Sequence, residues 1–155
     1  IPPIPGLTEM YNDYNAGVDG TPPILTNETV FNLTQRPTVL AVIGAGVIGV
    51  ELAQAFQRLG SRVVVFDRLE RIMVREDEDL SAVIQRQMEE DGVEFRLGAN
   101  TTAISRRGNQ VAIDMKLGEE DTTVLCDAIL VATGRKPNVS NLGLEKADIK
   151  YDPRT

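Results

Sequence analysis

The chain has no tryptophan, and aromatic residues make up 5% of it. Aromatic side chains on which nucleic-acid bases could stack are therefore scarce, which argues against such a surface. Net charge is −7, which excludes nonspecific attraction to a phosphate backbone as well. One cysteine, Cys126, rules out an internal disulfide framework and suits a reducing compartment. No run of about 20 apolar residues exists to span a bilayer. The N-terminus, IPPIPGL, lacks the basic and apolar parts of a signal peptide. The expected location is the cytoplasm or an organelle matrix. What remains, 42% apolar and 25% charged, is ordinary for a soluble domain, and 155 residues suffice for one core. No tandem repeat or low-complexity tract appears.

The most informative stretch is Thr38–Gly60, TVLAVIGAGVIGVELAQAFQRLG. An apolar run precedes the glycines Gly44, Gly46 and Gly49, and an amphipathic run follows them. That order predicts a buried strand, a tight turn and a helix N-terminus aimed at a diphosphate. Gly44 allows the turn off the strand, Gly46 lets backbone approach the pyrophosphate, and Gly49 lets the helix pack closely on the sheet. The N–H groups near Gly46, Val47 and Ile48 add the helix dipole, which attracts an anion whatever the net charge of the chain.

The rest of the chain extends the pattern. Residues 1–36 are punctuated by proline and glycine and read as an irregular connector, with Thr26 or Asn27 capping a short helix through Leu33. Thr38–Ile43 is a strand. Helix from about Ala45 to Leu59 carries Val47, Val50, Leu52, Ala53, Phe56 and Leu59 as its apolar positions. Arg62–Phe66 is the second strand. Asp77–Asp91 is a helix with Leu80, Val83, Ile84 and Met88 on one face and acids at its start. Val93–Leu97 is the third strand. Thr101–Arg106, Gln110–Leu117 and Thr122–Leu125 then form an antiparallel meander, with Arg107-Gly108-Asn109 and Gly118-Glu119-Glu120 as turns. Ala128–Ala132 returns as a buried strand. The fold class is α/β: a Rossmann-like parallel sheet with flanking helices and a three-stranded antiparallel meander.

Asp67 follows the second strand, where the fingerprint places an acid on the adenosine ribose. Hydrogen bonds to such a charged acceptor are worth about 1.5–3 kcal/mol. A 2′-phosphate would meet like charge there, which favours NAD over NADP. Arg68, Arg71 and Arg75 oppose that choice, because an arginine can pair with a 2′-phosphate. NADP therefore stays open. Cys126 reads as a small core residue, since nothing nearby activates it.

These motifs resemble the pyridine nucleotide-disulfide oxidoreductases, the flavoproteins that include dihydrolipoamide dehydrogenase, glutathione reductase and mercuric reductase. IPPIPGL at Ile1–Leu7 is similar to the family's exit from the first half of its FAD domain. VIGAGVIGVELA at Val42–Ala53 is similar to its NAD(P)H fingerprint, with the family's glutamate at Glu51. VATGRKPN at Val131–Asn138 is similar to its return into the FAD domain. VREDEDL at Val74–Leu80 leans mildly toward the mercuric reductase or dihydrolipoamide dehydrogenase branch.

The resemblance implies roles residue by residue. Gly44, Ala45, Gly46, Val47, Ile48, Gly49 and Glu51 line the nicotinamide dinucleotide, Val47 standing where some members carry a gating tyrosine. Asp67 holds the ribose, and Arg68 falls where an NADP-using member has a phosphate arginine. Thr101 approaches the adenine side and Gly134 closes over the cofactor. No metal site is implied. Residues 1–36 become a stub from the FAD domain, 37–134 the NAD(P)-binding domain, and 135–155 a stub leading back.

The chain departs from the family in three respects. It has no first GxGxxG for FAD, no CxxxxC redox pair and no histidine. The resemblance then implies the middle of a homodimeric enzyme, inactive alone and not carrying FAD. The partners expected are a nicotinamide dinucleotide and the missing FAD and dimerisation domains, with no nucleic acid or membrane. A standalone NAD(H)-binding module or sensor is the alternative. An acceptor other than a disulfide, such as oxygen, peroxide or ferredoxin, also stays open.

Overall fold

A computed structural model describes residues 1–134, 139 and 141–152. The elements run α1 (Leu7–Asn15), β1 (Ile24–Thr26), β2 (Val39–Ile43), α2 (Val47–Arg58), β3 (Arg62–Asp67), α3 (Glu78–Glu90), β4 (Glu94–Leu97), β5 (Asn100–Arg107), β6 (Gln110–Leu117), β7 (Glu120–Cys126) and β8 (Ala128–Val131). Five strands form one parallel sheet in the order β1-β8-β2-β3-β4, and β5-β6-β7 form a separate antiparallel sheet. The α/β class is as the periodicities require.

The central strands are apolar on both faces because both faces are covered. Ala41, Ile43, Val64, Phe66, Ile129 and Val131 point to one side, where α1 and the meander supply Leu7, Met10, Ile104, Val111, Ile113 and Met115. Leu40, Val42, Val63, Val65, Ala128 and Leu130 point to the other, where Val50 and Ala53 of α2 and Met88 of α3 close the layer. The molecule is thus three layers deep, with the parallel sheet in the middle.

Four expectations need correction. Residues 1–36 are not merely irregular: they hold α1 and the parallel edge strand β1, which pairs Ile24 with Ile129 and Leu25 with Leu130. Leu7, Ile24 and Leu25 are fully buried. The short helix expected after Thr26 shrinks to one 3-10 turn, Val30–Asn32, entered through hydrogen bonds between Thr26 and Thr29. On α3, Leu80 and Val83 are each 62% exposed, and Ser81 takes the inward position instead. On α2, Val47 and Leu59 likewise face outward.

Ion pairs and side-chain bonds tie the layers at their rims. Arg58 at the end of α2 pairs with Asp91 after α3 at 2.8 Å, and Arg62 pairs with Glu94 across β3 and β4 at 2.7 Å. Asp127 accepts the Val39 N–H at 2.8 Å and the Gln110 amide at 2.9 Å, joining the parallel sheet to the meander. No described helix is long and apolar enough to cross a membrane.

Candidate dinucleotide site

In an open parallel sheet, ligands bind beyond the carboxyl ends of the strands, where the strand order reverses. Here β2 is followed in sequence by β3 on one side, and its other neighbour is β8. A cleft of about 970 Å³ opens at that end. Gly44–Ile48 after β2, Asp67–Leu69 after β3, Ala99–Thr101 around the start of β5 and Ala132–Gly134 after β8 all line it. A smaller cavity of about 270 Å³ lies between Val30–Arg36 and the end of α2, away from the glycine turn.

The three glycines differ in what surrounds them. Gly44 has φ of +111°, and a Cβ there would stand 2.5 Å from the Ala132 carbonyl oxygen. A Cβ on Gly49 would stand 1.9 Å from the Gly44 oxygen, so the first turn of α2 touches the turn before it. Gly49 is buried and does not line the cleft. Around Gly46, its chain neighbours aside, no atom lies within 4 Å of a Cβ position. The protein gains nothing internal from glycine there; the open space faces the cleft.

Gly46 is the N-cap residue of α2, extended at φ −74° and ψ 177°, with no side-chain cap. The first helical bond runs from the Val50 N–H to the Gly46 carbonyl at 2.9 Å. The N–H groups of the preceding turn consequently point out of the helix end, toward the cleft. An anion seated there gains both those donors and the helix dipole. Val47 is 53% exposed at the same rim.

Asp67 sits at the end of β3, with one carboxylate oxygen accepting the Ala45 N–H at 2.7 Å and the other accepting the Leu69 N–H at 3.0 Å. Each oxygen keeps a lone pair for a ligand hydroxyl. Arg68 and Arg75 are exposed at the cleft. Arg71 also borders it, but its guanidinium turns to its own loop and to Ser81. Thr101 and Gly134 line the cleft; Glu51 is exposed on α2 and does not. Arg135–Asn138 of the VATGRKPN motif lie outside the described residues.

The whole chain, residues 1–155, matches the pyridine nucleotide-disulphide oxidoreductase family. The chain belongs to this family. Mercuric reductase of Staphylococcus aureus is 34% identical over 97% of the chain, and dihydrolipoyl dehydrogenase of Bacillus subtilis is 36% identical over 84%. The chain covers 25% and 28% of those two proteins. The solved structure of the HOCl-induced flavoprotein disulfide reductase RclA from Escherichia coli superposes with a TM-score of 0.78 at 32% identity. That match takes in 99% of this chain and 32% of RclA.

Sequence reasoning missed several contributors to the site. Met73 donates its N–H to the Ala45 carbonyl at 2.8 Å, so the loop after β3 grips the glycine turn. This contact is made by backbone alone, and no residue type announces it. Pro2, Pro3 and Ile4 also reach the rim, from a segment read only as a connector.

Proposed function

We propose that this chain is the nicotinamide-dinucleotide-binding part of an FAD-dependent pyridine nucleotide-disulfide oxidoreductase, and that it takes NADH in preference to NADPH. The observation that carries the reading is Gly46: a glycine with open space where its Cβ would be, capping a helix whose N–H groups face the cleft. That cradle suits a diphosphate and has no packing purpose.

Gly44–Ile48 would hold the pyrophosphate, and Asp67 the adenosine ribose. Arg68 would stand beside the ribose, with Thr101 toward the adenine and Gly134 over the opposite rim. Bound NADH supplies a hydride, and FAD would be held outside residues 37–134. This chain binds and orients; it contributes no thiol chemistry, because Cys126 is buried. We read residues 1–36 and 135–155 as the passages from and to the FAD domain of a homodimeric protein, with β1 of the first passage built into the sheet.

The reading is tested by adding NADH to the chain while following nicotinamide fluorescence and exchange of the Gly46 and Val47 amides. Enhanced fluorescence with protection of those amides is expected. No response at millimolar NADH refutes it.

A further inference from the structure

Ala45 lies between the first two glycines and is gripped at both ends of its backbone. Its N–H donates to Asp67 at 2.7 Å, and its carbonyl accepts from Met73 at 2.8 Å. The first partner is the last residue of β3, and the second lies in the segment joining β3 to α3. That segment makes a sharp turn: Met73 has φ of +48°, and the Glu76 N–H donates back to the Met73 carbonyl at 2.8 Å. A left-handed methionine persists only when its surroundings enforce it.

The enforcement is visible. Ile72 is fully buried beside Met73. The Arg71 guanidinium donates to the carbonyls of Val74 and Glu76, each at 3.2 Å, and to the Ser81 hydroxyl. Ser81 is fully buried on the inward face of α3, and its hydroxyl lies 2.9 Å from the Asp77 carbonyl. One planar fork thus binds both arms of the turn to the helix behind it, a geometry a lysine ammonium cannot copy.

We propose that Arg71 is a positioning residue for the dinucleotide site: with Ser81 it locks the 71–77 turn so that Met73 latches the glycine loop and Asp67 stays at the ribose position. The proposal rests on the dinucleotide reading above for its ligand, though not for the latch itself. It also removes Arg71 from the set of arginines available to a 2′-phosphate.

The test uses Arg71→Met, Arg71→Lys and Ser81→Ala in the full chain, with NADH titration and amide exchange at Met73, Ala45 and the core residue Val64. Arg71→Met should weaken NADH binding about tenfold, and speed Met73 exchange similarly, as expected for lost charged hydrogen bonds. Val64 protection should hold, and Arg71→Lys should restore little. Ser81→Ala, which leaves the guanidinium in place, should give a smaller loss in the same direction and serves if Arg71→Met does not fold. Unchanged Met73 exchange in the variants would overturn the latch. Faster Met73 exchange with unchanged NADH affinity would overturn the positioning role. If the unaltered chain ignores NADH, the dinucleotide reading and the positioning role fall together, while Met73 exchange still decides the latch.

Discussion

The carboxylate of Asp67 lies 2.7 Å from the backbone nitrogen of Ala45 and accepts its hydrogen bond. The acid expected to meet a ribose is therefore also a strut of the glycine turn. Asp67→Ala should weaken NADH binding by about one to two orders of magnitude, from hydrogen bonds to a charged acceptor. NADPH binding should fall less, since the lost carboxylate no longer repels a 2′-phosphate. Parallel fluorescence titrations with the two nucleotides check this. If NADPH already binds the unaltered chain more tightly, Arg68 and Arg75 outweigh Asp67.

Gly46 and Gly49 should respond oppositely to the same added methyl group. Gly49→Ala drives a Cβ into the Gly44 oxygen, and the melting temperature should fall by about 5 °C or more. Gly46→Ala meets open space, so its melting temperature should stay within about 2 °C. Its NADH affinity should nevertheless drop about tenfold or more, because the new methyl occupies the approach to the diphosphate. Melting curves and titrations of both variants separate packing from binding.

How far the sequence was legible follows from how each element earns its stability. The strands β2, β3 and β8 and helix α2 carry long apolar patterns, and their positions came out to within a residue or two. Helix α1 did not: Leu7, Met10, Tyr11 and Tyr14 follow helical spacing, but the helix is nine residues long and Pro5, Gly6 and Gly17 around it give the segment the look of a connector. Strand β1 is three residues long and exists through pairing with β8. The face of α3 was misassigned because Ser81, a polar residue, points inward to meet Arg71. The placement of Asp67 and the glycine turn at the cleft was legible from residue type and spacing; the Met73 contact was not, being backbone.

Because β1 is part of the sheet, the first segment should matter to stability. Leu25 is fully buried between the sheet and the α2 side of the core. Leu25→Ala should cost about 2–5 kcal/mol. Leu80→Ser and Val83→Ser, at exposed positions of α3, should stay within about 0.5 kcal/mol. Urea unfolding of the three variants measures the contrast, and equal losses would contradict the packing described.

Among the described residues, Cys126 carries a pH dependence that burial itself imposes. Its thiol is fully buried, with Sγ 3.7 Å from the Val111 carbonyl. Burial, helped by the neighbouring Asp127 charge, pushes its pKa from the ordinary 9.0 to about 12. Above pH 9 the unfolded chain therefore releases a proton that the folded chain retains. Unfolding is favoured as pH rises, and the stability present below 9 is lost progressively toward 12, by at most about 1.4 kcal/mol per pH unit. Cys126→Ala removes this slope and leaves those of tyrosine and lysine in place. Between about pH 9 and pH 11 the urea midpoint of the unaltered chain should fall relative to that of Cys126→Ala. A thiol reagent should modify native Cys126 only at the rate at which the core opens. A flat difference between the midpoints, or rapid modification near neutral pH, would show that this thiol is reachable in the folded chain.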